Sequence, residues 1–361
     1  MKKFIIVAIC LMMAVGIYLS MGSVEQVVPQ ASAGKTYSGT IYVAGMGGHF
    51  AAADITVDPS DTANPIKVTN LDRVVIGDKD THPTHDPRID VKDPGKLFWS
   101  TYKPDKKIDG GRTAHVGVSD LKNGNVIKDQ PVALDAKAEW IGALYCASGQ
   151  TKDAFLPVTM TDLPYIDVFA KSDLSHKQRV FLDYKLGESF FFHGTNNDQM
   201  DKFVLVVNLK TEGKPNGKID AYLLDLKALE SGNAKILKKN QFSGEPGKTL
   251  TFRQDFTPDG KYIVQSGADR MFLLDGKTLD VLDKEMMTDG ENHDAVSSPD
   301  GKYAILTLRA SVGEEKDGQL QLYDINAKKL VGKPTSVCMA CHDKIGIHGN
   351  ATLCGADVTW K

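Results

Sequence analysis

The 361-residue sequence is short of several things, and each shortage removes a class of function. It has no excess of either charge. With 43 Lys and Arg against 46 Asp and Glu, the net charge of −3 argues against nucleic acid or an anionic membrane surface as a partner. No segment keeps a helical period for long, which excludes long coiled coils and doubly wound sheets. Lys227 to Gly232 and Leu174 to Arg179 are expected to form single helical turns at most. There is no nucleophile elbow, no phosphate loop and no pair of catalytic carboxylates. Cysteine is scarce, with only Cys10, Cys146, Cys338, Cys341 and Cys354.

A long apolar run occurs only at the amino terminus, where Lys2 and Lys3 precede Phe4 to about Met21 in the pattern of an export signal. Cleavage after Ala33, in Ala31-Ser-Ala33, would make residues 1–33 a signal peptide. The run is also long enough to remain as an inner-membrane anchor. Cys10 lies inside it without the small residues of a lipoprotein signal. Either way, residues 34–361 face an oxidising periplasmic or extracellular space as a single domain, and any membrane contact is through that anchor.

Gly and Pro are plentiful, 33 and 15, and much of this supply falls in Asp-Gly, Asn-Gly and Pro-Asp-Gly turns between short alternating runs. One unit recurs. Phe256-Thr-Pro-Asp-Gly-Lys-Tyr-Ile-Val returns about 40 residues later as Ser297-Ser-Pro-Asp-Gly-Lys-Tyr-Ala-Ile. Each copy is followed by a second run ending in a polar turn, Arg270-Met-Phe-Leu-Leu-Asp-Gly-Lys and Gln319-Leu-Gln-Leu-Tyr-Asp-Ile-Asn. Further copies of that run are Lys218 to Lys227 and, more faintly, Ala114 to Gly124. Several short strands per repeat predict an all-β fold, a β-propeller of about seven four-stranded blades. The last strand, near the carboxy terminus, has no blade of its own, while Tyr37 to Ile76 lacks an inner strand. The ring is therefore expected to close by pairing its two ends.

Phe-x-Pro-Asp-Gly-Lys-Tyr followed by a Leu-x-Asp turn resembles the periplasmic YVTN-type propellers and the related haem propellers of the nitrite reductase type, over about Met200 to Gly332. That resemblance implies a fold rather than an activity.

The chemistry gathers at the end of the chain. Cys338-Met-Ala-Cys341-His342 is a c-type haem attachment pattern: two thiols at this spacing form thioethers to the two vinyl groups, and the adjacent imidazole reaches the iron. The alternatives are a zinc site completed by His348 and Cys354, or plain disulfides. Only residues 343–361 follow His342, too few for a helical haem domain with a distant Met ligand, so the propeller itself would bury the haem. The attachment loop, 337–348, is expected at the channel mouth. His348 is the first choice of second axial ligand; His85, His193 and His293, each at the start of a predicted inner strand, are the alternatives, and Met339 is weaker. A blade-packing role competes for each of these histidines. Cys146 and Cys354 form a candidate disulfide, His82 with His85 a candidate metal pair, and His49 a strand or turn residue.

The sequence thus points to a c-type cytochrome with one haem, exchanging electrons with a redox partner protein. A haem- or metal-dependent oxidoreductase at the channel mouth and a haem-free binding module with structural Cys or zinc are the alternatives, and a further metal stays open. Protein made in a haem-attaching host is expected to keep its colour on denaturation and to show the added mass of one haem, both lost in Cys338→Ala with Cys341→Ala. Colourless protein, or stoichiometric zinc in place of iron, would refute the haem reading.

Overall fold

The computed structural model describes residues 35–45, 47–108, 111–161, 163–182, 189–309, 318–337 and 355–361, with backbone alone at 140–143 and 189–191. The amino-terminal apolar run expected to direct export, the Cys338–His348 segment and Cys354 lie outside these residues. No helix among them is long and apolar enough to cross a membrane.

Among the described residues, twenty-four strands form six antiparallel four-stranded sheets. Blade one holds β1 (Tyr37–Ala44), β2 (His49–Val57) and β3 (Ile66–Val75). Blade two follows with β4 (Thr84–Ile89), β5 (Lys96–Thr101), β6 (Thr113–Asp120) and β7 (Val126–Ala133), and blade three with β8 (Trp140–Gln150), β9 (Ala154–Thr161), β10 (Tyr165–Ala170) and β11 (His176–Phe181). Blade four has β12 (Ser189–Asn196), β13 (Lys202–Thr211), β14 (Lys214–Asp225) and β15 (Ile236–Ser243), with the short helix α1 (Leu226–Glu230) between the last two. Blade five has β16 (Gln254–Phe256), β17 (Tyr262–Ser266), β18 (Arg270–Asp275) and β19 (Val281–Met286). Blade six has β20 (Glu291–Ser297), β21 (Tyr303–Arg309), β22 (Gln319–Asp324) and β23 (Lys329–Ser336). The last strand, β24 (Ala356–Trp360), returns to blade one as its innermost strand. The innermost strands touch in the cyclic order β24, β4, β8, β12, β16, β20 and back to β24, so the sheets form a closed propeller.

There are six blades, not seven. The spacing between the two Pro-Asp-Gly-Lys turns belongs to blades five and six, whereas blade four runs from Ser189 to Ser243 with strands of up to 12 residues. Dividing the chain by the shortest unit therefore overcounts. The other correction is at Leu174, where the expected helical turn is a left-handed tight turn (φ 53°) leading into β11; Lys227 to Gly232 does hold the one-turn helix α1.

Each repeated motif has a mechanical reason. In Pro258-Asp-Gly-Lys, Gly260 takes φ +68° and donates to the Thr257 carbonyl at 2.7 Å, while the Asp259 carboxylate accepts from the Lys261 N–H at 3.0 Å. Blade six repeats this with Gly301 at φ +66° and Asp300. The Asp that ends the third strand works alike in four blades; in blade two, Asp120 accepts from the Lys122 N–H. Asp275 accepts from Lys277 and Thr278, Asp324 from Asn326 and Ala327, and Asp225 caps α1 through Ala228.

There is no single central core; six apolar clusters fill the six interfaces between neighbouring blades. Period-two alternation divides each second strand between its two neighbours. Phe203 packs toward blade three and Val204 toward blade five; Ile263 packs toward blade four and Val264 toward blade six. These strands are buried on both faces and so read as unbroken apolar runs. The outermost strands, such as Ile236-Leu-Lys-Lys-Asn-Gln, are largely exposed and carry lysines that discourage edge pairing.

Closure uses both neighbours of the last strand. β24 pairs with β1 from Gly39↔Trp360 to Val43↔Ala356. The Ala356 N–H donates to Asp294 of blade six at 2.9 Å, Asp357 accepts from Ile89 N–H of blade two at 2.8 Å, and the Trp360 indole donates to the Ser297 carbonyl at 3.1 Å. Ending the chain at Gly355 removes all of these and bares the inner edge of β1. The truncated protein is expected to lose roughly 5 °C or more in Tm and to aggregate. An unchanged melting curve would show that the ring does not depend on this strand.

Candidate functional site at the channel mouth

In the described residues, the outer strand of each blade ends and the inner strand of the next begins at the same end of the ring, here called the mouth. The first residues of the inner strands therefore converge there. Blade two supplies His85, blade three Cys146, blade four His193, blade five Phe252 and Arg253 just ahead of β16, blade six His293, and blade one Gly355 just ahead of β24. The structure thus brings together the three histidines that the sequence placed at strand starts. His348, Cys338, Cys341 and His342 fall outside the described residues, as does Cys354, the candidate partner of Cys146. His49 begins β2 and is buried, and its carbonyl accepts from the Thr84 hydroxyl at 2.8 Å.

Cys146 is flanked by two imidazoles. Its Sγ lies 2.8 Å from His193 Nε2 and 3.8 Å from His85 Nε2, and all three residues are buried. Burial, with the nearby Arg253 guanidinium and His293, pushes the His193 pKa well below the imidazole range. The ring is therefore neutral, and its Nε2 is placed to accept a hydrogen bond from the thiol. His85 is depressed in the same way, by burial first and then by Arg253. Its Nδ1 is 2.8 Å from Arg253 Nη2, which can only donate, so Nδ1 accepts and Nε2 carries the proton. The Tyr145 carbonyl, 3.1 Å from the same Nδ1, is placed to accept a proton in the opposite tautomer. That tautomer would free Nε2 for a metal.

His293 has a different setting. Its ring stacks on Phe252 with centroids 4.0 Å apart and 20° between planes, and Nε2 has no hydrogen-bond partner among the described residues. Burial lowers its pKa to about 4, although Glu291 at 3.8 Å pulls the other way. Glu291 is itself held by Arg309, 2.5 Å from Nη2. Tyr102 packs against His85 at 4.1 Å and gives the mouth a second aromatic wall.

Beneath the imidazoles lies a charged layer that reading the sequence did not find. Arg253 is 2% exposed; besides His85 Nδ1, its Nη2 donates to the His85 carbonyl at 3.0 Å, and its Nε is 3.2 Å from Asp86 Oδ1. Gly355 passes so close that a Cβ there would lie 2.7 Å from the His85 carbonyl oxygen and 3.1 Å from Arg253 Nε. Only glycine admits this approach. Counting back from Pro258 and Pro299 would have revealed the layer, since Arg253 and Asp294 hold equivalent places in the repeat, as do Phe252 and His293.

At the far end the channel opens into a cavity of about 530 Å³ lined by Arg88, Asp198, Asp255, Asp357, Thr359 and Trp360. Burial raises the Asp255 and Asp294 pKa values to about 7 and also raises that of Asp357. A sequence of polar groups thus runs from the imidazole mouth to an acidic floor.

The two ends respond to pH in opposite directions. Asp255, ordinarily at 3.8 and here at about 7, holds its proton in the fold after the unfolded chain has released its own. Its contribution is therefore complete below about pH 4 and is lost as pH rises through 7. His293, ordinarily at 6.5 and here at about 4, contributes fully above 6.5 and loses that contribution as pH falls through 4. Asp255→Asn keeps an acceptor for the Ser297 N–H, now 2.8 Å from the carboxylate, and removes the charge. The variant is expected to melt roughly 2–5 °C above the parent at pH 8 and to show no gain at pH 4. An equal offset at both pH values would refute the buried-acid assignment. No described protein family matches the chain, and no curated protein matches it.

Proposed function

We propose that this protein is an exported c-type cytochrome on a six-bladed propeller scaffold, holding one haem through Cys338, Cys341 and the proximal ligand His342 and exchanging electrons with a redox partner protein. One observation carries this reading. His85, His193 and His293 converge at the mouth, and the chain segment that bears the attachment motif is tied to that same end on both sides. The Val337 N–H donates to the Gly318 carbonyl at 2.9 Å as blade six ends, and the Gly355 carbonyl accepts from the Ala44 N–H at 2.8 Å as blade one is completed. The export pattern of Lys2, Lys3 and the following apolar run supports a periplasmic or extracellular setting.

A haem bound there supplies reversible one-electron exchange at iron. The described residues suit such a group. Phe252 and Tyr102 offer aromatic faces, and the buried imidazoles stay neutral at pH 7, as ligation requires. Among them His293 is the best second axial candidate, because Phe252 fixes its ring and its Nε2 has only Glu291 at 3.8 Å and no hydrogen bond among the described residues, whereas His85 and His193 both face Cys146. His348 competes through its closeness in sequence to His342.

The flanking of Cys146 Sγ by two imidazole nitrogens favours a second reading, an oxidoreductase working at the mouth through the haem or an added metal. Axial coordination separates the two. The wild-type iron is expected to be low-spin, and His293→Ala or His348→Ala, but not His85→Ala or His193→Ala, should convert it to high-spin. A wild-type iron that is already high-spin and binds small ligands would replace electron transfer by the oxidoreductase.

A further inference from the structure

We propose that His82, His115 and Asp129 form a divalent transition-metal site of the zinc class on blade two, separate from the channel. The three residues come from different segments: His82 from the connection between β3 and β4, His115 from β6 and Asp129 from β7. One ligand atom from each lies within 4.8 Å of the others. His82 Nε2 is 3.0 Å from Asp129 Oδ2, and His115 Nδ1 is 2.8 Å from Asp129 Oδ1. Tetrahedral ligands on one metal about 2.0–2.1 Å away lie roughly 3.3–3.4 Å apart, so each of these two pairs has to open by only a few tenths of an ångström.

The outer contacts match those that orient metal-bound imidazoles. The remote nitrogen of His115, Nε2, faces Asp105 Oδ2 at 3.1 Å, and Asp105 is buried and fixed by the Lys107 N–H at 2.7 Å. The remote nitrogen of His82, Nδ1, is 2.9 Å from the Thr81 hydroxyl. Each ring thus turns one nitrogen to a supporting partner and the other to the common centre. The side chains of His82 and His115 are 12% and 5% exposed, and that of Asp129 is 33% exposed, so the cluster is walled on the imidazole side and open to solvent at the carboxylate. That leaves room for a water or exogenous ligand in a fourth position.

Charge points the same way. His115 lies between two carboxylates, Asp129 at 2.8 Å and Asp105 at 3.1 Å. Two carboxylates thus converge on one imidazole, a negative setting that a divalent cation offsets. Among the described residues, the Asp129 carboxylate has no Lys or Arg partner. The donor set of two imidazoles and one carboxylate suits zinc.

The test uses the whole chain, loaded with zinc and dialysed into metal-free buffer, with zinc and iron counted separately by elemental analysis so that haem does not interfere. Wild type is expected to retain one zinc per chain and to melt higher with zinc than without. His82→Ala and Asp129→Asn should each weaken zinc binding at least tenfold and abolish the rise in Tm, and Asp105→Asn should weaken it roughly tenfold or more. His82 stands on a connecting loop, so its variant tests the site without disturbing a strand. Failure of wild type to retain zinc would reduce the cluster to a hydrogen-bonded triad and overturn the proposal. Zinc that survives His82→Ala and Asp129→Asn but is lost in Cys338→Ala would belong to the cysteines and overturn it equally.

Discussion

A buried guanidinium at the channel axis holds the mouth together. Arg253 enters from blade five and spends its donors on His85 and its charge on Asp86, both of blade two, while its own backbone N–H donates to the His293 carbonyl of blade six at 3.2 Å. Leaving either partner of such a buried pair uncompensated costs several kcal/mol, roughly 3–5. The cation also sets the electrostatics of the site, since it lowers the pKa of each of the three histidines. Their neutrality is therefore a property of the scaffold as much as of burial.

The channel is polarised along its length. Neutral imidazoles and a thiol occupy the mouth, Arg253 with Asp86 and Asp294 the middle, and Arg88 with Asp255 and Asp357 the floor. Two arginines face four carboxylates. Burial answers this imbalance by letting Asp255 and Asp294 keep protons near neutral pH, which spares the interior the repulsion of adjacent anions. The mouth and the opposite opening consequently differ in chemistry, although both are built from the same six strands.

Much of the architecture was legible because its signals are local. The Pro-Asp-Gly-Lys turn encodes its own hydrogen bonds, and a histidine at the start of an inner strand can only end up at the mouth. The blade number was not legible, because the clear repeats are the short blades and the long hairpin of β13 and β14 carries no equivalent turn motif. Cys146 was weighed against Cys354 because cysteines invite pairing, whereas the described partners of its thiol are imidazoles from blades two and four. Arg253 was not singled out, since nothing near it in sequence announces Asp86. His82 and His115 escaped notice as a pair for the same reason: the ring, not the chain, makes them neighbours.

The pairing of β24 with β1 also imposes an order in time. Within blades two to six every strand pairs with the one just made, so these sheets can form as local meanders with little loop entropy to overcome. Blade one is different, for Gly39 must wait for Trp360. Until the final residues arrive, β1 keeps an unsatisfied edge and the ring remains an open arc. The seam is then the last contact to form and, by the same barrier, the natural place for the closed molecule to begin to open.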